Sequence, residues 1–368
     1  MKLSIIALTI ILSVNGHAKN TKIFELQKRD SVLESYSDLV FATYQSTLNE
    51  LKKLNQIIGA FTSNPTSENL ENAKKAWIDA RREYSKTEAF RFYGGPIDEP
   101  EVGPEGLINA WPLDEAYIDY VKGNAQTGII NDSVKYPKIT KEILQSLNEK
   151  DGEANIATGF HAVEFLLWGQ DFDQNKPGVR PLSDFTTAAN SERRREYLNV
   201  VTQMLINDLQ AVQDKWKDKK YFNILKQEKG NLPIQKIMLG LTTLSYDEMS
   251  GERMTVAFEK QDQENEQDCF SDNSLNDLVA NQEGIINVFT KTGLSELFNN
   301  PTKTKVIEQL LNKNLLELKS IKAPFDAIVA NAKHPERKKV KQIINSLQKQ
   351  ARLLNDLGKS YGLELNVQ

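Results

Sequence analysis

Histidine is rare in this chain, and one of its three histidines lies where a polar side chain needs an explanation. Residues 159–171 read GFHAVEFLLWGQD, and between 160 and 168 only His161 and Glu164 are not apolar. On a helix, positions three apart share one face, with β-carbons about 5–6 Å apart. A buried imidazole and a buried carboxylate are costly unless each is paired or binds a metal. The segment therefore predicts a buried pair or a pair of metal ligands.

The residue types narrow the chemistry of such a site. A zinc protease of the HExxH type needs a Glu and a second His, but Ala162 and Phe165 occupy those positions. Di-iron bundles use Glu three residues before His, which neither His161 nor His334 has, and no GxSxG sequence is present. One imidazole with several carboxylates suits iron, manganese or zinc. The alternative is structural: His161 donates to Glu164 or to a backbone carbonyl.

Further ligands must come from other parts of the chain. Glu88 closes a predicted helix before a Gly-Gly-Pro loop, and Glu252 lies in a predicted helix. We therefore predict a metal site of His161, Glu164, Glu88 and Glu252. The residues expected to line it are Gly159, Arg91, Asp98, Asp114, Trp168 and Arg253.

Composition excludes several function classes. The chain has 368 residues with 46 basic and 50 acidic side chains. This near balance gives no electrostatic case for nucleic acid or anionic membrane as the main partner. Cys269 is the only cysteine, so no intrachain disulfide and no thiolate metal cluster can form.

The first 18 residues have the pattern of a secretory signal peptide. Lys2 gives a positive start, residues 3–14 form a mainly apolar stretch, and Gly16-His17-Ala18 ends the segment. We predict cleavage after Ala18. The apolar run is too short to span a bilayer, and no cysteine follows it that could carry a lipid. The sequence therefore predicts an exported protein, periplasmic or at the cell surface, with no transmembrane segment.

Apolar residues recur with the helical period along the rest of the chain. The stretches that show it most clearly are 32–58, 67–90, 196–216, 234–258, 306–321 and 340–357. We predict an all-α fold of two antiparallel four-helix-bundle-like domains, an N-terminal one at 19–190 that carries the HxxE pair and a C-terminal one at 191–368. The acidic run at 259–272 lacks the spacing of a calcium loop and is interpreted as a solvated helix end.

Four blocks of the sequence resemble the imelysin family. GFHAVEFLLWGQD is similar to the GxHxxE signature of that family, with Gly159, His161 and Glu164 all present. The other blocks are TEAFRFYGGPID at 87–98, EGLINAWPLDEAYIDYV at 105–121, and 244–254 with FSDN further along. The resemblance implies two helical bundles with the site near their junction. It also implies a periplasmic or surface location and a part in bacterial iron uptake.

Three functions remain open from the sequence. The first is an iron-binding or iron-uptake accessory protein of the cell envelope, with iron favoured and zinc possible as the metal, acting with an iron-transport component. The second is a metallopeptidase with His161 and Glu164 as ligands and Glu252 as base, although the residues do not support the family's historical peptidase label. The third is a helical scaffold that binds another envelope protein.

Overall fold

The fold is helical throughout the part of the chain that can be described. The computed structural model describes residues 22–365, and in this range no β-strand forms. A single isolated bridge joins Val121 and Asn124. The all-α prediction is confirmed. The predicted signal peptide at 1–18 lies outside the described residues, and no helix within them is long and apolar enough to cross a membrane.

The α-helices are numbered in chain order. They are α1 (Leu26–Ser63), α2 (Ser67–Ser85), α3 (Glu105–Ile108), α4 (Glu115–Ile118), α5 (Lys141–Leu147), α6 (Gly159–Trp168), α7 (Ser191–Trp216), α8 (Lys220–Gln227), α9 (Leu232–Thr243), α10 (Val256–Lys260), α11 (Ser274–Lys291), α12 (Leu294–Leu297), α13 (Pro301–Lys319), α14 (Phe325–Ala330) and α15 (Arg337–Lys359). A π-helix, Leu244–Thr255, joins α9 to α10, and short 3-10 helices span Lys86–Phe90, Leu182–Phe185, Lys217–Lys219 and Gln263–Asn265.

The first bundle is formed by α1, α2, α6 and α7, which pack against one another. The buried face of α1 includes Leu33, Tyr36, Val40 and Tyr44, all fully buried. Their spacing of three and four residues is that of one helix face. The apolar residues that repeat with the helical period in the sequence are therefore the ones that α1 buries in the bundle.

The second bundle is formed by α9 with the π-helix, α11, α13 and α15. Its core contains a fully buried polar group that crosses helices. The Gln282 side-chain amide donates to the Gln350 carbonyl at 2.9 Å, and the Asn314 amide donates to the same oxygen at 2.8 Å. Because buried amides are costly without partners, this group fixes how α11, α13 and α15 align.

The two bundles meet where α11 packs on α2 and on the 3-10 helix Lys86–Phe90. Helix α7 begins at Ser191, just after the predicted domain boundary, yet it packs against α1 and α6 of the first bundle. The boundary at 190 stays a prediction, and the packing of α7 favours a division further along the chain.

Candidate functional site

Gly159 sets where the site helix α6 begins. Its φ is +88°, and a β-carbon there would lie 2.6 Å from the backbone oxygen of Ile108. Only glycine adopts such a conformation freely and permits so close an approach. The Thr158 hydroxyl donates to the backbone oxygen of Leu107 at 3.0 Å, so the chain before α6 is fixed to helix α3.

His161 and Glu164 lie side by side on α6, as the spacing predicts. Nδ1 of His161 is 3.0 Å from Oε2 of Glu164, and the two side chains are 2% and 0% exposed. The other carboxylate oxygen, Oε1, accepts from the Ser271 hydroxyl at 2.7 Å and from the Ser271 amide at 3.0 Å. Ser271 therefore orients Glu164 so that Oε2 faces the imidazole.

Asp268 is the third member of the group. One potential ligand atom from each of His161, Glu164 and Asp268 lies within 4.8 Å of the others. Nδ1 of His161 is 3.6 Å from Oδ1 of Asp268. An imidazole with two carboxylates is a donor set that suits iron, manganese or zinc. All three side chains are buried, so a cation held there would be shielded from solvent.

Arg81, on α2, faces the same group from the first bundle. Its Nε lies 2.7 Å from Oδ2 of Asp277, and one terminal nitrogen lies 3.3 Å from Oδ1 of Asp268. That terminal nitrogen is also 3.5 Å from Nε2 of His161. One arginine thus faces three buried carboxyl groups, those of Glu164, Asp268 and Asp277.

Burial and neighbouring charges shift the pKa values of the pair in opposite directions. Burial, followed by the charges of Arg81 and Arg253, lowers the pKa of His161 well below its ordinary value. Burial and the negative charge of Asp268 raise the pKa of Glu164 well above its ordinary value. The imidazole is neutral, which is the state that ligates metals, and the charge of Arg81 does not offset the effect of burial and Asp268 on the Glu164 carboxyl group.

A small cavity lies beside His161, and a larger cleft shares part of its lining. His161 borders a cavity of about 30 Å³ whose walls include Trp111, Gln267 and Phe270. Beyond it lies a cleft of about 350 Å³ that shares Trp111 and Glu264 with the cavity. A cavity of 30 Å³ holds about one or two water molecules, so it admits an ion but not a peptide.

Glu88 was expected to be a ligand, but the structure does not bring it to His161. Its carboxylate contacts a terminal nitrogen of Arg253 at 2.5 Å and one of Arg91 at 2.9 Å. Burial raises the pKa of Glu88, but Arg91 and Arg253 outweigh it and lower that pKa to about 2. Because two arginines already compensate the negative charge of Glu88, this carboxylate has little charge left to attract a metal ion.

Glu252 also lies apart from His161, Glu164 and Asp268, which we call the His161 group. It is exposed and lines the outer cleft together with Glu248 and Lys260. The π-helix that carries it turns the neighbouring Arg253 inward to Glu88, while Glu252 faces solvent. Neither the ligand role nor the base role predicted for Glu252 has support in this position.

Three of the residues expected to line the site instead stabilise nearby structure. Asp98 accepts from the backbone amides of Phe92 and Gly95 and closes the Gly-Gly-Pro loop. Asp114 caps α4 by accepting from the amide of Ala116 at 3.0 Å. Trp168 packs edge-on against Trp77 in the first bundle, with ring centroids 5.3 Å apart.

Sequence reasoning missed Asp268, Ser271 and Arg81. The acidic run was interpreted as solvated, and this was wrong for Glu266 and Asp268, which are 2% and 0% exposed. The available signal was FSDN, which places Ser271 three residues after Asp268. Its contact with α6 joins positions 107 residues apart, which no local pattern reveals.

Comparison with known proteins identifies the family. The sequence matches the family described as Imelysin over residues 40–354. The chain belongs to the imelysin family. A curated relative, iron-regulated protein A of Synechococcus elongatus, is 25% identical over 263 residues, which are 68% of this chain and 61% of that protein. The chain thus spans less than two thirds of the length of that relative.

Two solved structures share the imelysin fold described above. A candidate iron-regulated protein A precursor from Parabacteroides distasonis has a TM-score of 0.70 at 16% identity, covering 93% of this chain and 97% of that one. An imelysin-like protein from Psychrobacter arcticum has a TM-score of 0.69 at 12% identity, covering 94% and 99%. At these identities the likeness concerns the fold.

Proposed function

We propose that this imelysin binds iron as its cargo in the cell envelope and serves iron uptake there. The observation that carries the proposal is the buried group of His161, Glu164 and Asp268, with ligand atoms within 4.8 Å of one another. Asp268 replaces the ligands expected at Glu88 and Glu252. The protein would act together with an iron-transport component of the envelope.

The donor atoms fit a transition metal. A neutral imidazole and two carboxylates together match the ligand preferences of iron, with zinc as the closest competitor. Removing two carboxylates from water is costly unless their charge is compensated. The cation beside Oδ1 of Asp268, Arg81 at 3.3 Å, also pairs with Asp277 at 2.7 Å. A bound cation would supply the missing charge. Ser271 would hold Glu164 in place as a ligand.

Iron is favoured because of the names of the relatives. The Synechococcus protein is called iron-regulated protein A, and the Parabacteroides structure carries the same description. Proteins of iron uptake are typically regulated by iron. The names of the relatives therefore favour iron as the metal bound by His161, Glu164 and Asp268.

The first prediction tests the ligands directly. Iron and zinc are titrated into the wild type, Glu164→Gln and Asp268→Asn, with binding followed by calorimetry and folding by thermal unfolding. Each substitution keeps side-chain size but removes a charge, so each should weaken binding by at least about 10-fold. Glu252→Gln is the matched control, because that carboxylate is exposed, and it should bind as the wild type does. Equal affinities in all four proteins would show that the group is structural.

Export is the second part of the proposal, and it rests on residues 1–18. We predict a mature protein that begins at Lys19, since Gly16 and Ala18 provide the small residues that signal peptidase requires. Intact mass spectrometry of protein recovered from the envelope fraction checks this. Recovery of a chain that still begins at Met1 would contradict export by this route.

A further inference from the structure

A second group of carboxylates lies apart from the His161 group. We call it the four-carboxylate cluster, and its members are Asp171, Glu266, Asp272 and Asp326. Asp171 follows α6, and Asp326 lies in the first turn of α14. Glu266 and Asp272 belong to the loop between α10 and α11. The cluster therefore joins three segments that are distant in sequence.

The side chains converge on one point. An oxygen from each of Asp171, Asp272 and Asp326 lies within 4.8 Å of the others. Asp171 is fixed in place, because it accepts from the Asp173 amide at 3.0 Å and from the Gln263 side chain at 2.9 Å. Its orientation towards Asp326 is thus imposed by donors outside the cluster.

Asp326 is the member that needs a ligand. It is 0% exposed, and within residues 22–365 neither carboxylate oxygen has a hydrogen bond of standard geometry. The groups that approach those oxygens are its own backbone amide and the carboxyl groups of Glu266, Asp171 and Asp272, and a carboxyl group can donate only when it is protonated. Neither oxygen of Glu266, which is 2% exposed, has such a hydrogen bond either, although the Ser274 hydroxyl stands beside it. Buried carboxylates without donors or cations are strongly unfavourable.

The charges around the cluster do not relieve this cost. After burial, the strongest charge effects on Asp272 come from Asp326 and Asp171. Burial and these neighbours raise the pKa of Asp272 to about 8. Like charges this close disfavour one another, so the arrangement requires either protons or a cation.

We propose that the four-carboxylate cluster is a binding site for a hard divalent cation, with Ca²⁺ as the preferred ion. Ligands that are all oxygen suit Ca²⁺, Mg²⁺ or Mn²⁺. Ca²⁺ accepts irregular carboxylate geometry at about 2.3–2.6 Å, whereas Mg²⁺ requires a near-octahedral one at about 2.0–2.1 Å. Carboxylates that converge from three separate segments of the chain suit the irregular coordination that Ca²⁺ accepts. None of the four residues belongs to the proposed iron site.

A cation there would act on the His161 group through the loop. Glu266 and Asp272 flank Asp268 and Ser271, which complete that group. The Ser274 hydroxyl accepts from the Asp268 amide at 3.1 Å and stands beside Glu266. A Ca²⁺ ion would therefore fasten the loop to α6 and α14 and hold Asp268 in position.

The experiment titrates CaCl₂ into metal-free full-length protein at neutral pH, with calorimetry and thermal unfolding as readouts. The wild type should bind one Ca²⁺ and unfold at a higher temperature in its presence. Asp326→Asn should lose at least about 10-fold in affinity. Without calcium this variant should unfold at the same temperature as the wild type or a higher one, because it removes an uncompensated buried charge.

Two control variants separate calcium binding at this cluster from calcium binding elsewhere on the protein. Asp173→Asn removes the same charge from an exposed position at the rim and should keep wild-type calcium binding. Glu164→Gln changes the His161 group and should also keep it, whatever it does to iron binding. No heat and no thermal shift with Ca²⁺ in the wild type would overturn the proposal. Equal calcium binding by Asp326→Asn and wild type would do so too.

Discussion

Buried carboxylates in this protein divide into those matched by arginine and those that lack a cation. Glu88 belongs to the first kind, held by Arg91 and Arg253. Glu164 and Glu266 belong to the second, since after burial the largest charge effect on each comes from another carboxylate, Asp268 and Asp326 respectively. The sequence does not distinguish the two kinds, because the deciding partners lie far away in the chain. Arg253, for instance, is 165 residues from Glu88.

The Glu88 ion pairs predict a stability effect that depends on pH. The folded-state pKa is about 2 against an ordinary 4.5, so the ionised carboxylate contributes stability that is present above pH 4.5 and lost as pH falls towards 2. The difference corresponds to about 3 kcal/mol. Glu88→Gln should therefore lower the unfolding free energy by about that amount at pH 7, and by progressively less between pH 4.5 and 3, as measured by urea unfolding.

The matched control for Glu88 is a surface pair. Glu71 contacts Lys74 at 3.0 Å with 70% of its side chain exposed, and exposed pairs contribute only about 0–1 kcal/mol. Glu71→Gln should change stability by less than about 1 kcal/mol at every pH. A Glu88→Gln effect of the same small size would show that the buried ion pairs are not stabilising.

The positions of the long helices were the part of the structure that the sequence predicted best. Long helices such as α1 and α7 were predicted because their apolar residues repeat with the helical period, and that period reflects burial of one face. The HxxE spacing placed His161 beside Glu164 correctly. The segments between helices were predicted poorly: α4 covers only Glu115–Ile118, and the loop that brings Asp268 to α6 has no periodic pattern.

Gly159 gives a test at the level of a single helix. Gly159→Ala places a β-carbon 2.6 Å from the Ile108 oxygen at a φ of +88°, so α6 must shift or strain. We expect a loss of about 1–3 kcal/mol in unfolding free energy and weaker iron binding, because His161 and Glu164 move with α6. Thermal unfolding and metal titration measure the two effects.

Gly59 provides the opposite case on another helix. It lies within α1, and nothing would come within 4 Å of an added β-carbon. Gly59→Ala should therefore raise stability by about 0.5–1 kcal/mol and leave metal affinity unchanged. If both alanine variants lost the same stability, the close approach of α6 to α3 would not be the cause.

Across the whole molecule, the proposed iron ligands are divided between the two bundles. His161 and Glu164 lie on α6 of the first bundle, while Asp268 lies in the loop that leads into α11 of the second. Arg81 on α2 contacts Asp277 on α11 at 2.7 Å, so the bundles also meet through an ion pair behind the group. A bound metal would therefore add a connection between bundles.

This arrangement predicts that iron stabilises both bundles. Metal at about 100 times its dissociation constant adds about 2.7 kcal/mol to the folded state. Hydrogen exchange should slow in α7 and in α13, two helices that carry no ligand but belong to different bundles. The same experiment on Glu164→Gln should show no change in either helix. Slower exchange in α7 with none in α13 would mean that the metal is held by the first bundle alone, and Asp268 would then be excluded as a ligand.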